Sequence, residues 1–271
     1  MRAFTVTIAS VLCFVFLGFG HFYWKEKTNI SSYTTAENEI EIKDSKIESE
    51  EIVDLEENQI GDVNILEYID NWPSTAQKTF QKKLENGNPY KFAFVGSPAL
   101  GKETGGWSVM LKDALVDTYG EDNIEIGIFE YALSSDQFID EEHVKEIIDF
   151  EPDFILFEPF KWIDNSVAPQ HNSDNISKFM NSLDGAGSDA VLVLQPSPPV
   201  YDTRYYPVQV DELKDFAVQH ELDYLDHWSA WPDDDDPKLE DYLLEDNSAP
   251  NKKGHKLWYE FLKKYFIAEG E

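Results

Sequence analysis

The 271-residue chain predicts a three-layer, doubly wound α/β domain built on a parallel five-stranded sheet. Apolar runs fall at residues 91–95, 124–130, 153–158, 190–195 and 222–226. Helical periodicity lies between them, near 106–119, 136–149, 173–184 and 207–220, and alternation of strand with helix implies a parallel sheet covered on both faces. A composition 42% hydrophobic and 14% aromatic supplies the core of one such domain.

Taken in order, the chain opens with residues 1–27, expected to be a transmembrane signal-anchor. Residues 3–24 carry no Lys, Arg, Asp or Glu, enough to cross a bilayer as a helix, and Phe22, Tyr23 and Trp24 make an aromatic edge before Lys25. No Ala-x-Ala-like cleavage site stands near residues 18–27. Flanking positive charge (Arg2 against Lys25 and Lys27) leaves orientation open, but a signal-anchor exports the chain on its C-terminal side. The expectation is therefore a single-pass cell-membrane protein with its globular part outside the cytoplasm. Cys13 is the one cysteine, which excludes a disulfide within the chain. Residues 28–63 are acidic, with Lys43 and Lys46 as their bases and no proline or tryptophan; such a segment buries too little to offset its ordering entropy and reads as a flexible linker.

The domain proper is assigned to residues 64–271. Residues 65–86 predict an entry helix and 252–266 a closing one. Gly105-Gly106-Trp107 leads into the helix after the first strand, and Gln195-Pro196-Ser197-Pro198-Pro199 ends the fourth strand, with Tyr201, Tyr205 and Tyr206 behind it. Asp233 to Asp236 are four consecutive carboxylates without the spacing or glycine of a calcium loop. The formal net charge of −31 disfavours nucleic-acid binding, since little here would release phosphate counterions. Oligomeric state is not legible.

Asp246-Asn-Ser-Ala-Pro-Asn-Lys-Lys-Gly-His-Lys-Leu-Trp258 resembles the last sequence block of the SGNH/GDSL hydrolases: an Asp, then the catalytic His and Pro, then Gly-His and an amphipathic helix. Pro250 and Gly254-His255 match, while Ala249 stands immediately before the proline where the histidine belongs. At the other end, residues 91–101 are similar to the family's strand and nucleophile turn, and two alignments are open. Counting back from Gly101 makes Ser97 the nucleophile, the preferred reading, with Gly96 where the Asp of Gly-Asp-Ser usually sits. Counting forward from the strand puts Ser97 in the Asp place and Pro98 in the serine place.

The resemblance implies the flavodoxin-like fold of that family, no cofactor and no metal. It implies cleavage of an acyl or acetyl ester on a lipid, glycan or cell-wall polymer. Serine at the carboxyl end of the first strand sits where open parallel sheets place ligands, and it needs a histidine oriented by a carboxylate to remove its proton. The catalytic set read this way is Ser97, Asp246 and His255. His255 is also readable as the family's structural Gly-His, the blander reading. Ala132 and Asn165 are the oxyanion candidates, and Glu158 and His227 are reserve acid/base groups at strand ends. His143, His171 and His220 carry no pattern. The alternative is a catalytically silent envelope protein that binds a carbohydrate or protein partner; a third reading is a purely structural envelope protein.

Overall fold

The computed structural model describes residues 65–140 and 143–269. The predicted membrane span and acidic linker lie outside the described residues. Among the described residues no helix is long and apolar enough to cross a membrane.

Five strands, β1 (Tyr90–Gly96), β2 (Ile124–Glu130), β3 (Phe154–Phe157), β4 (Val191–Leu194) and β5 (Asp223–Tyr224), form one parallel sheet in the order β2-β1-β3-β4-β5. The chain therefore winds outward from β1 first to one side and then to the other. The crevice at the carboxyl ends of β1 and β3 is the topological switch point, where such sheets place ligands. The helices are α1 (Ser74–Glu85), α2 (Trp107–Tyr119), α3 (Ser135–Asp140), α4 (His143–Phe150), α5 (Lys161–Asn165), α6 (Asn172–Gly185), α7 (Tyr206–Gln219) and α8 (Lys252–Phe266).

The apolar strand runs divide between two cores by their period of two. Phe92, Phe94 and Leu156 turn to one face and pack with Phe80 of α1, Trp107 and Leu111 of α2, and Trp258 and Phe266 of α8. Ala93, Val95, Ile155 and Phe157 turn to the other, against Phe138 of α3, Ile147 of α4, Phe179 of α6 and Leu213 of α7. The three-layer expectation holds.

Three boundaries differ from the sequence reading. The entry helix breaks into a 3-10 turn at Ile65–Ile69 and α1 from Ser74, because Pro73 disfavours helical backbone at Trp72 and supplies a preset start for the next helix. Trp72 instead anchors the segment, its indole donating to the Phe266 carbonyl at 3.0 Å. The helix expected over 136–149 is two, α3 and α4. β5 is only two residues long, since Leu225 already leaves for the 3-10 turn at His227–Ala230.

Candidate functional site

β1 ends at Gly96, and Ser97 starts a tight turn, its Oγ accepting the Ala99 N–H at 3.3 Å to cap the 3-10 helix Pro98–Leu100. That bond points the hydroxyl into the fold, and Ser97 is buried. Its own N–H donates to Glu158 Oε2 at 2.7 Å. Glu158, at the end of β3, is fully buried and also accepts the Ser197 hydroxyl through Oε1; Ser197 in turn accepts the Trp162 N–H at 3.2 Å. Burial pushes the Glu158 carboxyl up to about 7, opposed by the hydrogen bonds from Ser197 and Ser97 that favour its ionised form. Glu158 is thus a buried tie between the turns after β1 and β4, hydrogen-bonded to Ser97 and Ser197.

Gly96 is required by that tie. A Cβ at 96 would lie 2.6 Å from Leu100 Cδ1 and 2.8 Å from Glu158 Oε2. The carboxylate of Glu158 occupies the room that a side chain at 96 would need.

The next residue, Pro98, does face outward. Together with Ala249, Pro250, Met110, Leu244 and His255 it lines a cleft of about 660 Å³ between the β1 turn and the start of α8. Ser97 is not among its lining residues. Of the two adjacent residues, Pro98 faces the cleft and Ser97 is turned away from it. Pro98 and Ala249 thus meet in one cleft.

No hydrogen bond joins Ser97 to a histidine among the described residues. His255 Nδ1 accepts the N–H of Trp107 at 3.3 Å and so caps α2, whose N-cap Gly106 has no side chain to do it. Its Cε1 lies 2.9 and 2.8 Å from where Cβ atoms on Gly101 and Gly106 would stand, so both neighbours must be glycine. A neutral imidazole has one nitrogen lone pair to offer. Spent on Trp107, it leaves Nε2 protonated, the tautomer opposite to the one a triad base needs. Burial pushes the His255 pKa down to about 4, which keeps the ring neutral. His227 is likewise spent: Nδ1 accepts the Trp231 indole N–H at 3.1 Å, Nε2–H donates to the Pro196 carbonyl at 2.9 Å, and the ring stacks on Trp258 with centroids 3.9 Å apart. Burial pushes its pKa down to about 3.

The remaining candidates are also not brought together. Asp246 is exposed and accepts the N–H and Oγ of Ser248 at 3.1 and 2.6 Å, which hold its carboxyl below the ordinary value. It orients a turn and no histidine. Asn165 ends α5 with its amide oxygen accepting from Gln209 Nε2 at 2.9 Å. Ala132 is exposed on the loop after β2. On that loop the engaged residue is Ser135, whose N–H and Oγ donate to buried Asp164 at 2.8 and 2.5 Å, with Asn172 Nδ2 adding a third bond at 2.7 Å. Sequence reasoning missed the pairing of Met110 and Leu244 with Lys252 and Lys256 around the cleft; the two lysines, four apart at the start of a closing helix, were the signal available.

Scans against protein-family models and curated proteins found no match. Solved structures do match. A GDSL-like lipase of Parabacteroides merdae ATCC 43184 superposes with a TM-score of 0.54 at 9% identity, over 65% of this chain and 95% of its own. A mutant of Axe2, an acetyl-xylooligosaccharide esterase from Geobacillus, gives 0.51 at 12% identity, over 66% and 95%. A protein assigned to the G-D-S-L lipolytic family from Desulfitobacterium hafniense DCB-2 gives 0.50 at 17% identity, over 65% and 98%. At these identities the likeness is one of fold.

Proposed function

We propose that this chain, which carries the SGNH/GDSL hydrolase fold, is a catalytically silent relative that uses the old cleft to bind a ligand in the cell envelope. One observation carries the reading: Pro98 and Ala249 line the cleft, and neither side chain can donate, accept or carry a proton. The spent lone pairs of His255 and His227 support it, because neither histidine is free to act as a relocated base. The ester-hydrolase reading rests on Ser97 alone. The envelope setting is supported by the uncharged run at residues 3–24 and by the acidic tether that would hold the domain away from the bilayer.

The test is hydrolysis of a short-chain acyl ester and of an acetylated sugar by the wild type and by Ser97→Ala. The expected result is the same background rate from both proteins. Turnover that disappears in Ser97→Ala would establish a serine esterase and end the proposal.

A further inference from the structure

The cleft behind Pro98 and Ala249 has a charge character opposite to that of the chain. Acidic residues outnumber basic ones 53 to 22 overall, yet the charged residues lining this cleft are Lys252 and Lys256, with no carboxylate among the lining residues. A second cleft beside Trp228 shows that this is local, for it is lined by Asp211, Asp226, Asp233 and Asp234 against Lys214. Glu103, Glu245 and Asp246 are sequence neighbours of the lining residues, and Asp246 is already bonded to Ser248.

His255 adds a third donor. With Nδ1 accepting from Trp107, its proton sits on Nε2, and Nε2 has no hydrogen-bond partner among the described residues. The residue is only 8% exposed, yet it lines the cleft. Lys252 and Lys256 are one turn apart on α8, a spacing that puts both on one helix face. The other polar lining groups are occupied: Asn251 Oδ1 caps α8, its Nδ2 donates to the Asp241 and Leu243 carbonyls, and the Thr104 hydroxyl donates to Gly101 O. The rest of the wall is apolar, and the volume of about 660 Å³ falls within the range of about 300–1,000 Å³ that small-molecule sites fill.

Resting on the reading of a silent cleft, we infer that the site binds an anionic amphiphile. Its carboxylate or phosphate headgroup is held by Lys252, Lys256 and His255 Nε2–H, and its acyl chain lies against Met110, Leu244, Ala249 and Pro250. Three donors with no carboxylate among the lining residues favour an anion, and the apolar wall favours a chain attached to it.

The experiment is calorimetric titration of the full chain with dodecanoate, dodecyl phosphate, dodecanol and inorganic phosphate. The proteins compared are the wild type, the double variant Lys252→Gln/Lys256→Gln, and Ala249→Trp, which fills the cleft. Both anionic amphiphiles should saturate one site, with dodecanol and inorganic phosphate weaker by about tenfold or more. The double variant should lose about tenfold for the anions and nothing for dodecanol, and Ala249→Trp should abolish binding of both anions. Dodecanol binding as tightly as dodecanoate, or an anion affinity unchanged in the double variant, would overturn the inference. So would binding that survives Ala249→Trp, which would locate it elsewhere on the chain. The tighter of dodecanoate and dodecyl phosphate identifies a fatty acid or a phospholipid as the source of the headgroup. None of these probes contains a carboxylic ester. Hydrolysis lost in Ser97→Ala would therefore sink the silent reading while leaving the charge preference to stand or fall separately.

Discussion

Glu158 offers a direct measurement of how the site is built. Its folded pKa of about 7 against an ordinary value of 4.5 means that between those two values the folded protein holds a proton that the unfolded chain has released. A carboxyl shifted upward therefore stabilises the fold less as the pH rises, and its contribution is fullest below about 4.5. At 1.36 kcal/mol per unit the whole shift amounts to about 3 kcal/mol, most of which falls between pH 5 and pH 8. Glu158→Gln keeps an acceptor for the Ser97 N–H and cannot ionise. Urea denaturation of both proteins across that pH interval should give stability curves that converge or cross, the wild type losing about 2–3 kcal/mol relative to the variant by pH 8. The difference between the curves is the clean quantity, because every other titrating group is common to both. Parallel curves would refute the argument and show that Glu158 is either solvated or compensated by a partner.

His227 and His255 act with the opposite sign. Their folded values of about 3 and about 4 lie below the unfolded one, so stability falls as the pH drops below 6.5. Together they should lose about 3 kcal/mol between pH 6.5 and pH 5. Glu158 offsets about half of this in the wild type, so acid sensitivity over that interval should be steeper in Glu158→Gln. Nitrogen-15 NMR of the two rings should find both in the Nε2–H tautomer and still neutral at pH 5; an Nδ1–H tautomer at His255 would reopen its candidacy as a base. Removing the α2 cap with His255→Ala should lower stability by about 2 kcal/mol in denaturant titration. Gly101→Ala should be no milder. Its φ is +72° and the new Cβ would meet Gly106 Cα at 2.6 Å, so a loss of about 2–3 kcal/mol is expected, and a neutral outcome would mean that the loop relaxes freely.

The fold was legible because its strands announce themselves. Runs such as Phe-Ala-Phe-Val at 92–95 and Phe-Ile-Leu-Phe at 154–157 are buried on both sides, so they read as continuous apolar segments broken by turn residues. Errors came where a local breaker was underweighted, as at Pro73, or where the last strand of the sheet shrank to two residues. The identity of the residue facing the cleft was not legible, since one glycine fits two alignments and only the Ala99 N–H bond to Ser97 Oγ shows which way the turn faces. The histidines were illegible for a different reason. What disables His255 is a backbone amide 148 residues away in the chain, and the Ser97–Glu158 tie spans 61.

That tie also governs which neighbouring sequences this protein can reach. Building Gly-Asp-Ser by the alignment that puts Pro98 in the serine place would put Asp at 97, a second carboxylate directly beside Glu158 in a dry interior that already resists one. Building it by the other alignment would put Asp at 96, with its Cβ 2.8 Å from Glu158 Oε2. Replacing Glu158 first by an apolar residue removes the acceptor of the Ser97 N–H and the Ser197 hydroxyl. Asp at either 96 or 97 is therefore a loss while Glu158 stands, so a directed-evolution campaign toward Gly-Asp-Ser would have to vary 96, 97 and 158 together.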